Sequence, residues 1–219
     1  MDKNEIFRNT RDWYLNTKND QVHDKLVKFA IQHSGETILD VGCATGDYCN
    51  KLKKYGFECV GVDINQKYVD KALEKGIEAY IMDAENLDFP DNSFDTILLF
   101  EVLEHVKRPD RVLKEANRVA KEKVLISVPN VTKFFKLKKY GLTYDHMLDQ
   151  DHTNFFTKQD LEKLLSDEFS EFKVDEREVI GLGLIDLPWC LSYPILALYK
   201  LKIIKSSIYY RLYAIAVVN

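Results

Sequence analysis

The stretch ILDVGCATGDYCNKL, residues 38–52, is the feature that most constrains the fold of this 219-residue chain. It begins as an apolar run typical of a buried strand, turns through Gly42 and Gly46, and resumes with apolar residues at helical spacing. In such a turn the backbone amides at the helix N-terminus face a common point, and glycine lets a ligand approach the main chain closely. The stretch predicts either a small-molecule cradle or an ordinary strand-to-helix connection.

Strand-like and helix-like segments alternate along most of the chain. Further strands are predicted over 58–64, 78–84, 94–102, 123–129 and 172–180. Helices are predicted over 22–33 and 47–55, after Asn65, from Pro109 and after Thr157. This alternation predicts an α/β fold, doubly wound, with a parallel sheet covered by helices on both faces and ligands bound at the carboxyl ends of the strands.

Composition narrows the class of protein. With 46% hydrophobic residues and no linker-like segment, we expect one domain over 1–219. A net charge of −4 argues against a protein that coats nucleic acid. The polar N-terminus lacks a signal core, and the four scattered cysteines indicate reduced thiols, with no zinc or other metal site, in a cytoplasmic protein.

An acidic residue strengthens the cradle interpretation. Asp63 ends the second predicted strand about twenty residues after the turn, where a carboxylate can accept hydrogen bonds from ribose hydroxyls. The dinucleotide pattern G-x-G-x-x-G would require glycine at positions 44 and 47, which hold Ala44 and Asp47. NAD and FAD are therefore disfavoured.

The runs DVGCATG, VGVDI and MDAENLDFPDNSFDTILLFEVLEHV resemble the class I S-adenosylmethionine-dependent methyltransferases, in particular their small-molecule, type 11-like branch. The resemblance is close over 36–130 and looser to residue 180. It implies a Rossmann-like, mostly parallel seven-stranded sheet whose last, antiparallel strand lies at 212–218, with S-adenosylmethionine as cofactor. It also implies an N-terminal helical lid over 1–35, a cofactor-binding core over 36–130, and acceptor-side insertions at 131–157 and 181–208.

The resemblance assigns cofactor roles to individual residues. The turn would line the methionine part, Asp63 would bind the ribose, and Ile64, Asp83 and Ala84 would contact adenine. Glu101 would lie near the methyl group. The full set is Asp40, Gly42, Cys43, Ala44, Gly46, Asp63, Ile64, Asp83, Ala84, Glu101 and Tyr14. Ala44 replaces a glycine common in the family, and its methyl group should narrow the loop without closing it. Tyr14, with Trp13, fits either the lid or a hydrophobic anchor.

Catalysis of methyl transfer requires little more than a nucleophile held in line with a reactive sulfonium methyl group. An alcohol acceptor gains from a general base. The candidates are His105 in LEHV, together with Asp151 and His152 in DHMLDQDHTNFF. His105 fits a loop-orienting role equally well, and His152 fits a structural hydrogen bond. We assign His23 to the surface or core of the first helix.

The acceptor is less constrained. FEVLEH follows the fourth strand where an Asn/Asp-Pro-Pro-Tyr motif would indicate an adenine or glutamine amide acceptor, so these are disfavoured. DHTNFF resembles segments of polysaccharide-associated and quinone methyltransferases, which favours a sugar or lipid-linked glycan hydroxyl first and a quinone or small aromatic acceptor second. The alternative to an enzyme is a catalytically inactive module that binds S-adenosylmethionine. The oligomeric state stays open.

An apolar segment with basic residues, 187–205, is too short in its uncharged part to span a bilayer. It fits a cover over the acceptor pocket or a peripheral membrane contact made together with the lysines of 133–139.

Overall fold

The computed structural model describes residues 22–131, 151–179 and 209–218, which form one seven-stranded sheet with helices on both faces. The strands are β1 (Thr37–Val41), β2 (Glu58–Asp63), β3 (Ala79–Ile81), β4 (Phe94–Phe100), β5 (Ala120–Pro129), β6 (Glu171–Val179) and β7 (Tyr209–Val217). The helices of the described ranges are α1 (Asp24–His33), α2 (Asp47–Lys53), α3 (Gln66–Glu74), α4 (Pro109–Val119) and α5 (Lys158–Ser166). The predicted α/β fold class is confirmed.

The strand order is β3-β2-β1-β4-β5-β7-β6. Strands β1 to β5 pair in parallel, and β7 pairs antiparallel with both β5 and β6. The chain leaves β1 toward one edge and returns to the other side of β1 at β4. The strand order therefore reverses between β1 and β4, which is where a doubly wound sheet opens a ligand crevice at its carboxyl edge.

Strand β4 shows why the central strands read as continuous apolar runs. Ile97 and Leu99 are fully buried in the core layer that contains α4 and α5. Leu98 and Phe100 point the other way, into the layer that contains α1, α2 and α3. Because both faces are covered, the strand is apolar at successive positions from Ile97 to Phe100.

Local capping signals are confirmed. The Asn65 side chain accepts a hydrogen bond from the Lys67 backbone N–H at the start of α3. Thr157 and Asp160 form the reciprocal capping box of α5. The third strand is shorter than predicted, ending at Ile81, because Asp83 and Asn86 form a turn immediately after it.

The prediction of reduced thiols is wrong for two of the cysteines. Cys49 on α2 and Cys59 on β2 form a disulfide, with their Cα atoms 5.2 Å apart. The helix folds back onto the strand that follows it, a tertiary contact that cysteine spacing does not reveal. Cys43 is a buried free thiol.

Several predictions fall on residues outside the described ranges, namely Trp13 and Tyr14 of the lid, the lysines of 133–139 and the segment 187–205. The division of the chain into a single domain with lid and insertions also stays a prediction. Among the residues the structure describes, no helix has the length and apolar character needed to cross a membrane.

Candidate functional site

A cleft of about 1470 Å³ opens at the carboxyl ends of β1, β2, β4 and β5. Nine of the residues assigned to the cofactor line it, and the three catalytic candidates lie on its wall. These are Asp40, Gly42, Cys43, Ala44, Asp63, Ile64, Asp83, Ala84 and Glu101, with His105, Asp151 and His152. Gly46, at the end of the turn, is buried and does not line the cleft, and an added Cβ there would lie 3.0 Å from the Cβ of Ala72.

The backbone conformation of the glycine turn requires a glycine at position 42. Gly42 has a φ of 75°, and a side chain there would place its Cβ 2.7 Å from Cγ2 of Val102. The Gly42 and Cys43 amides both donate to the Val62 carbonyl, at 2.8 and 2.9 Å, which fixes the turn against β2. Ala44 is also left-handed, with a φ of 44°, a conformation that costs an alanine about 1–2 kcal/mol. Ala44 lines the cleft, and the expectation that its methyl group leaves room for the ligand stays a prediction.

Asp63 is held at the end of β2 by two backbone amides. Its Oδ2 accepts from Ala44 N–H at 2.9 Å, and its Oδ1 accepts from Asn65 N–H at 2.8 Å. Burial raises the pKa of Asp63, and these backbone hydrogen bonds oppose the rise. The carboxylate is thus oriented by the chain, and its remaining lone pairs can accept from ligand hydroxyls.

Asp40, on β1, is 2% exposed. Burial, reinforced by the charge of Asp63, raises the pKa of Asp40 to about 8. The carboxyl group is therefore largely protonated at neutral pH, and a ligand cation placed beside it would favour its ionisation.

Two exposed residues beyond the strand ends, one apolar and one acidic, suit the flat face and the polar edge of a nucleobase. Ile64 is 71% exposed although it is a large aliphatic side chain, and it lies on the cleft wall. Asp83 is exposed, and its Oδ1 accepts from Glu85 N–H at 2.9 Å, which shapes the turn that follows β3. These positions, the oriented carboxylate of Asp63 and the glycine turn together fit a nucleoside joined to an amino acid.

Glu101, directly after β4, belongs to a buried ionic network that sequence reasoning missed. Its Oε1 accepts from the Ser127 hydroxyl at 2.8 Å, and its Oε2 lies 3.2 Å from Nε of Arg211. Arg211 is 5% exposed and donates to Oε2 of Glu178 at 2.8 Å. Tyr213 donates to the other Glu178 oxygen at 2.6 Å. Three strands thus meet through ion pairs at the far end of the cleft.

His23, the N-cap of α1, is exposed, in keeping with the surface assignment, and it also lies on the cleft wall. Its Nε2 is 2.8 Å from Nη2 of Arg211, and its backbone N–H donates to the Tyr48 hydroxyl at 3.2 Å. The partners His23 and Arg211 are 188 positions apart in the chain, so no local pattern signals the contact.

The two histidines considered as catalytic candidates, His105 and His152, meet although they are distant in sequence. Their ring centroids are 4.6 Å apart in an edge-to-face arrangement. Nδ1 of His105 lies 3.2 Å from the backbone carbonyl of Asp151, so Asp151 contacts this ring through its main chain. Thr153 and Asn154 both donate backbone N–H groups to the Glu104 carbonyl, at 2.8 and 3.0 Å. The segment after residue 150 is therefore docked on the LEHV turn.

Three known proteins to which this chain is similar are methyltransferases, and so is the family whose model it matches. The family model described as "Methyltransferase domain" matches residues 14–169. Norajmaline N-methyltransferase of Rauvolfia serpentina is 33% identical over 39% of this chain and 32% of that protein. Demethylmenaquinone methyltransferase of Thermotoga maritima is 33% identical over 53% of this chain and 55% of that protein. Ubiquinone biosynthesis O-methyltransferase of Coxiella burnetii is 30% identical over 54% of this chain and 53% of that protein.

The chain thus spans between a third and a little over half of the length of these curated relatives. Among solved structures, a methyltransferase dependent on S-adenosylmethionine from Archaeoglobus fulgidus superposes with a TM-score of 0.68 at 22% identity, covering 94% of this chain and 99% of that one. Magnesium protoporphyrin IX methyltransferase from Synechocystis, whose structure holds bound SAH, gives 0.64 at 18% identity, with 98% and 97% covered. The fold, the family match and the glycine turn with its acidic partner agree, and the chain belongs to the class I S-adenosylmethionine-dependent methyltransferases.

Proposed function

We propose that the protein transfers the methyl group of S-adenosylmethionine to a hydroxyl oxygen of a small molecule. The observation that carries this proposal is the carboxylate of Asp63, oriented by the amides of Ala44 and Asn65 in the same cleft as the His105–His152 pair. A ribose-binding group and a pair of proton-accepting side chains on one wall are what a hydroxyl methyltransferase needs.

In this proposal, described residues of the cleft are assigned to each part of the cofactor. Asp63 accepts hydrogen bonds from the ribose hydroxyls, and Ile64 packs on the adenine ring. The turn from Gly42 to Ala44 and the carboxyl group of Asp40 face the methionine part. Glu101 marks the methyl end, since it stands after β4 where the cleft continues toward the histidines. When bound, S-adenosylmethionine supplies an electrophilic methyl group, and the chain's task is to orient the acceptor and exclude water.

His105 and His152 are the residues proposed to activate the acceptor hydroxyl. The simplest route is direct proton removal by the His152 imidazole, a group suited to that role near neutral pH. The contact between His105 and the Asp151 carbonyl, together with the docking of Thr153 on the Glu104 carbonyl, gives the pair a fixed backbone frame. A cleft of about 1470 Å³ exceeds the roughly 300–1,000 Å³ of a typical ligand pocket. That volume supports a second ligand beside the cofactor.

Two acceptor classes follow from this proposal. The first class, a sugar or lipid-linked glycan hydroxyl, is supported by the resemblance of the DHTNFF segment to polysaccharide-associated methyltransferases. A hydroxylated quinone-type ring is favoured by a different observation, the similarity to methyltransferases named for demethylmenaquinone and ubiquinone biosynthesis.

Turnover of methyl-labelled S-adenosylmethionine tests the proposal and separates the classes. The acceptors are a set of free sugars, polyprenyl-linked glycans and catechol-type rings, and label transferred to one class identifies it. The variant His152→Ala should lose most turnover while binding S-adenosylhomocysteine with unchanged affinity. Cofactor binding without product from any acceptor would instead identify a binding module.

A further inference from the structure

We infer that Glu104, His105 and His152 form a binding site for a divalent transition-metal ion of the Zn²⁺ type, placed to hold the acceptor hydroxyl. Each residue offers one ligand atom, and these atoms all lie within 4.8 Å of one another. Glu104 is 1% exposed, His152 is half-buried, and His105 is exposed at the cleft. The carboxylate therefore forms the floor of the site and the imidazoles form its rim.

The donor set matches the chemistry of such an ion. Two imidazoles and one carboxylate are the protein ligands of many catalytic Zn²⁺ sites and of non-haem Fe²⁺ sites, in which further coordination positions stay open. At bond lengths of about 2.0–2.2 Å, the donor atoms of a tetrahedral ion stand roughly 3.4 Å apart. The donor atoms lie within 4.8 Å of one another, so the widest separation must shorten by up to about 1.4 Å when an ion binds.

Backbone carbonyl groups around the three residues orient one of the histidines and hold the two segments together. The Asp151 carbonyl can only accept, so Nδ1 of His105 must carry the proton in their 3.2 Å contact. That leaves the lone pair of His105 Nε2 for an ion, the arrangement by which a carbonyl fixes the tautomer of a ligating histidine. The Asn154 side chain donates to the carbonyls of Leu103 and Val106, at 3.0 and 2.6 Å. These contacts hold the segment carrying His152 against the turn carrying Glu104.

Charge favours a cation at this place. A buried carboxylate such as Glu104 is stabilised by a neighbouring positive charge far more than by neutral groups. The site also belongs to the cleft proposed to bind the acceptor, whose lining includes Glu101, Glu104, His105 and His152.

The metal role rests on the proposed function. Coordination to a divalent ion lowers the pKa of a bound hydroxyl. The acceptor proton then passes to water in place of direct removal by His152. The oxygen lone pair forms the bond to the methyl carbon as the carbon–sulfur bond breaks, and the cofactor leaves as a neutral thioether.

The test is a titration of the metal-stripped full chain with Zn²⁺ and, separately, Co²⁺, followed by calorimetry and by visible absorption of Co²⁺. We expect one equivalent of each ion to bind and the Co²⁺ spectrum to indicate nitrogen and oxygen ligands. Glu104→Gln and His152→Asn remove ligands, so each should weaken binding by more than the roughly 10- to 100-fold that the loss of an outer-shell partner costs. The matched control is His33→Asn, because His33 lies at the end of α1 and does not line the cleft.

Unaltered far-ultraviolet circular dichroism and S-adenosylhomocysteine affinity in each variant show that the fold is intact. Should the stripped chain take up neither ion, or should Glu104→Gln bind as tightly as the unmodified chain, the site is refuted. Turnover that survives chelation would refute the metal's catalytic role. Because the metal titration needs neither cofactor nor acceptor, its failure leaves the proposed function standing, whereas loss of cofactor binding alone would refute that function and not the metal site.

Discussion

Nη2 of Arg211, on the last strand, lies 2.8 Å from Nε2 of His23, the residue immediately before α1. A guanidinium group only donates hydrogen bonds, so Nε2 of His23 must accept and its proton must sit on Nδ1. The ring is therefore neutral in this arrangement. Partial burial, followed by the charge of Arg211, lowers the pKa of His23 from its ordinary value.

This contact makes stability depend on pH. Above about pH 6.5, His23 is neutral in both the folded and the unfolded chain, so its contact with Arg211 contributes fully. As the pH falls below that value, the unfolded chain takes up the proton while the folded chain resists it, and the free energy of unfolding decreases. The variant His23→Gln retains an acceptor for Arg211 but does not titrate. Urea unfolding between pH 5 and 8 should show the natural chain losing stability relative to His23→Gln on the acid side. A difference that stays constant across the range would contradict this reading.

Arg211 itself is predicted to be essential for stability. It is 5% exposed and pairs with Glu101 and Glu178, so Arg211→Met leaves two carboxylates close together without their cation. Removing one partner of a buried ion pair costs about 3–5 kcal/mol. The comparison variant is Arg211→Lys, which keeps the charge and should lose less. Both are measured by urea unfolding at pH 7. A loss below about 1 kcal/mol for Arg211→Met would mean that water or a rearranged side chain replaces the guanidinium.

Asp40 gives the opposite pH dependence. Its folded pKa is about 8 against an ordinary value of 3.8, so the folded chain holds a proton that the unfolded chain has released. Its burial therefore costs nothing below about pH 4, and the cost grows as the pH rises toward 8. Asp40→Asn, which is neutral throughout, should be more stable than the natural chain at pH 8 by at least about 1 kcal/mol and equal to it near pH 4.

Binding provides a second measurement on Asp40. A ligand that brings positive charge beside this carboxyl group should ionise it, so S-adenosylmethionine binding at pH 7 should release a proton. Calorimetry in two buffers of different ionisation enthalpy measures that release, and it should vanish in Asp40→Asn. Equal proton release by both chains would place the cationic part of the cofactor elsewhere.

The sequence predicted what short-range rules determine. The turn through Gly42, the cap at Asn65 and the placement of Asp63 at the end of β2 each depend on residues close in the chain, and the structure has all three. The end of β3 was misjudged, because the apolar letters continue past Ile81 although the backbone turns at Asp83.

No short-range sequence pattern indicates the contacts between elements that are distant in the chain. The Arg211–His23 contact, the pairing of Cys49 with Cys59 and the approach of Glu178 to Tyr213 arise from how strands and helices pack. Glu178 has a φ of 59°, which no neighbouring residue type indicates. His23 was consequently assigned to the first helix without its contact to Arg211, and Glu101 was assigned to the cofactor without its buried partners.

The decisive residue for cofactor binding is Asp63. In Asp63→Asn, one side-chain oxygen becomes a donor, which cannot accept from both the Ala44 and Asn65 amides as the carboxylate does. The side chain also loses the charge that strengthens hydrogen bonds from ribose hydroxyls, an effect of about 1.5–3 kcal/mol, or roughly 10- to 150-fold in affinity. Calorimetric titration with S-adenosylhomocysteine should show that loss. The control is Asp95→Asn, because Asp95 accepts from Thr37 N–H at 2.9 Å near the amino end of β1, away from the cleft, and its loss should lower stability without changing affinity. If Asp63→Asn binds as tightly as the natural chain, the ribose does not lie at the end of β2 and the assignment of this cleft to the cofactor fails.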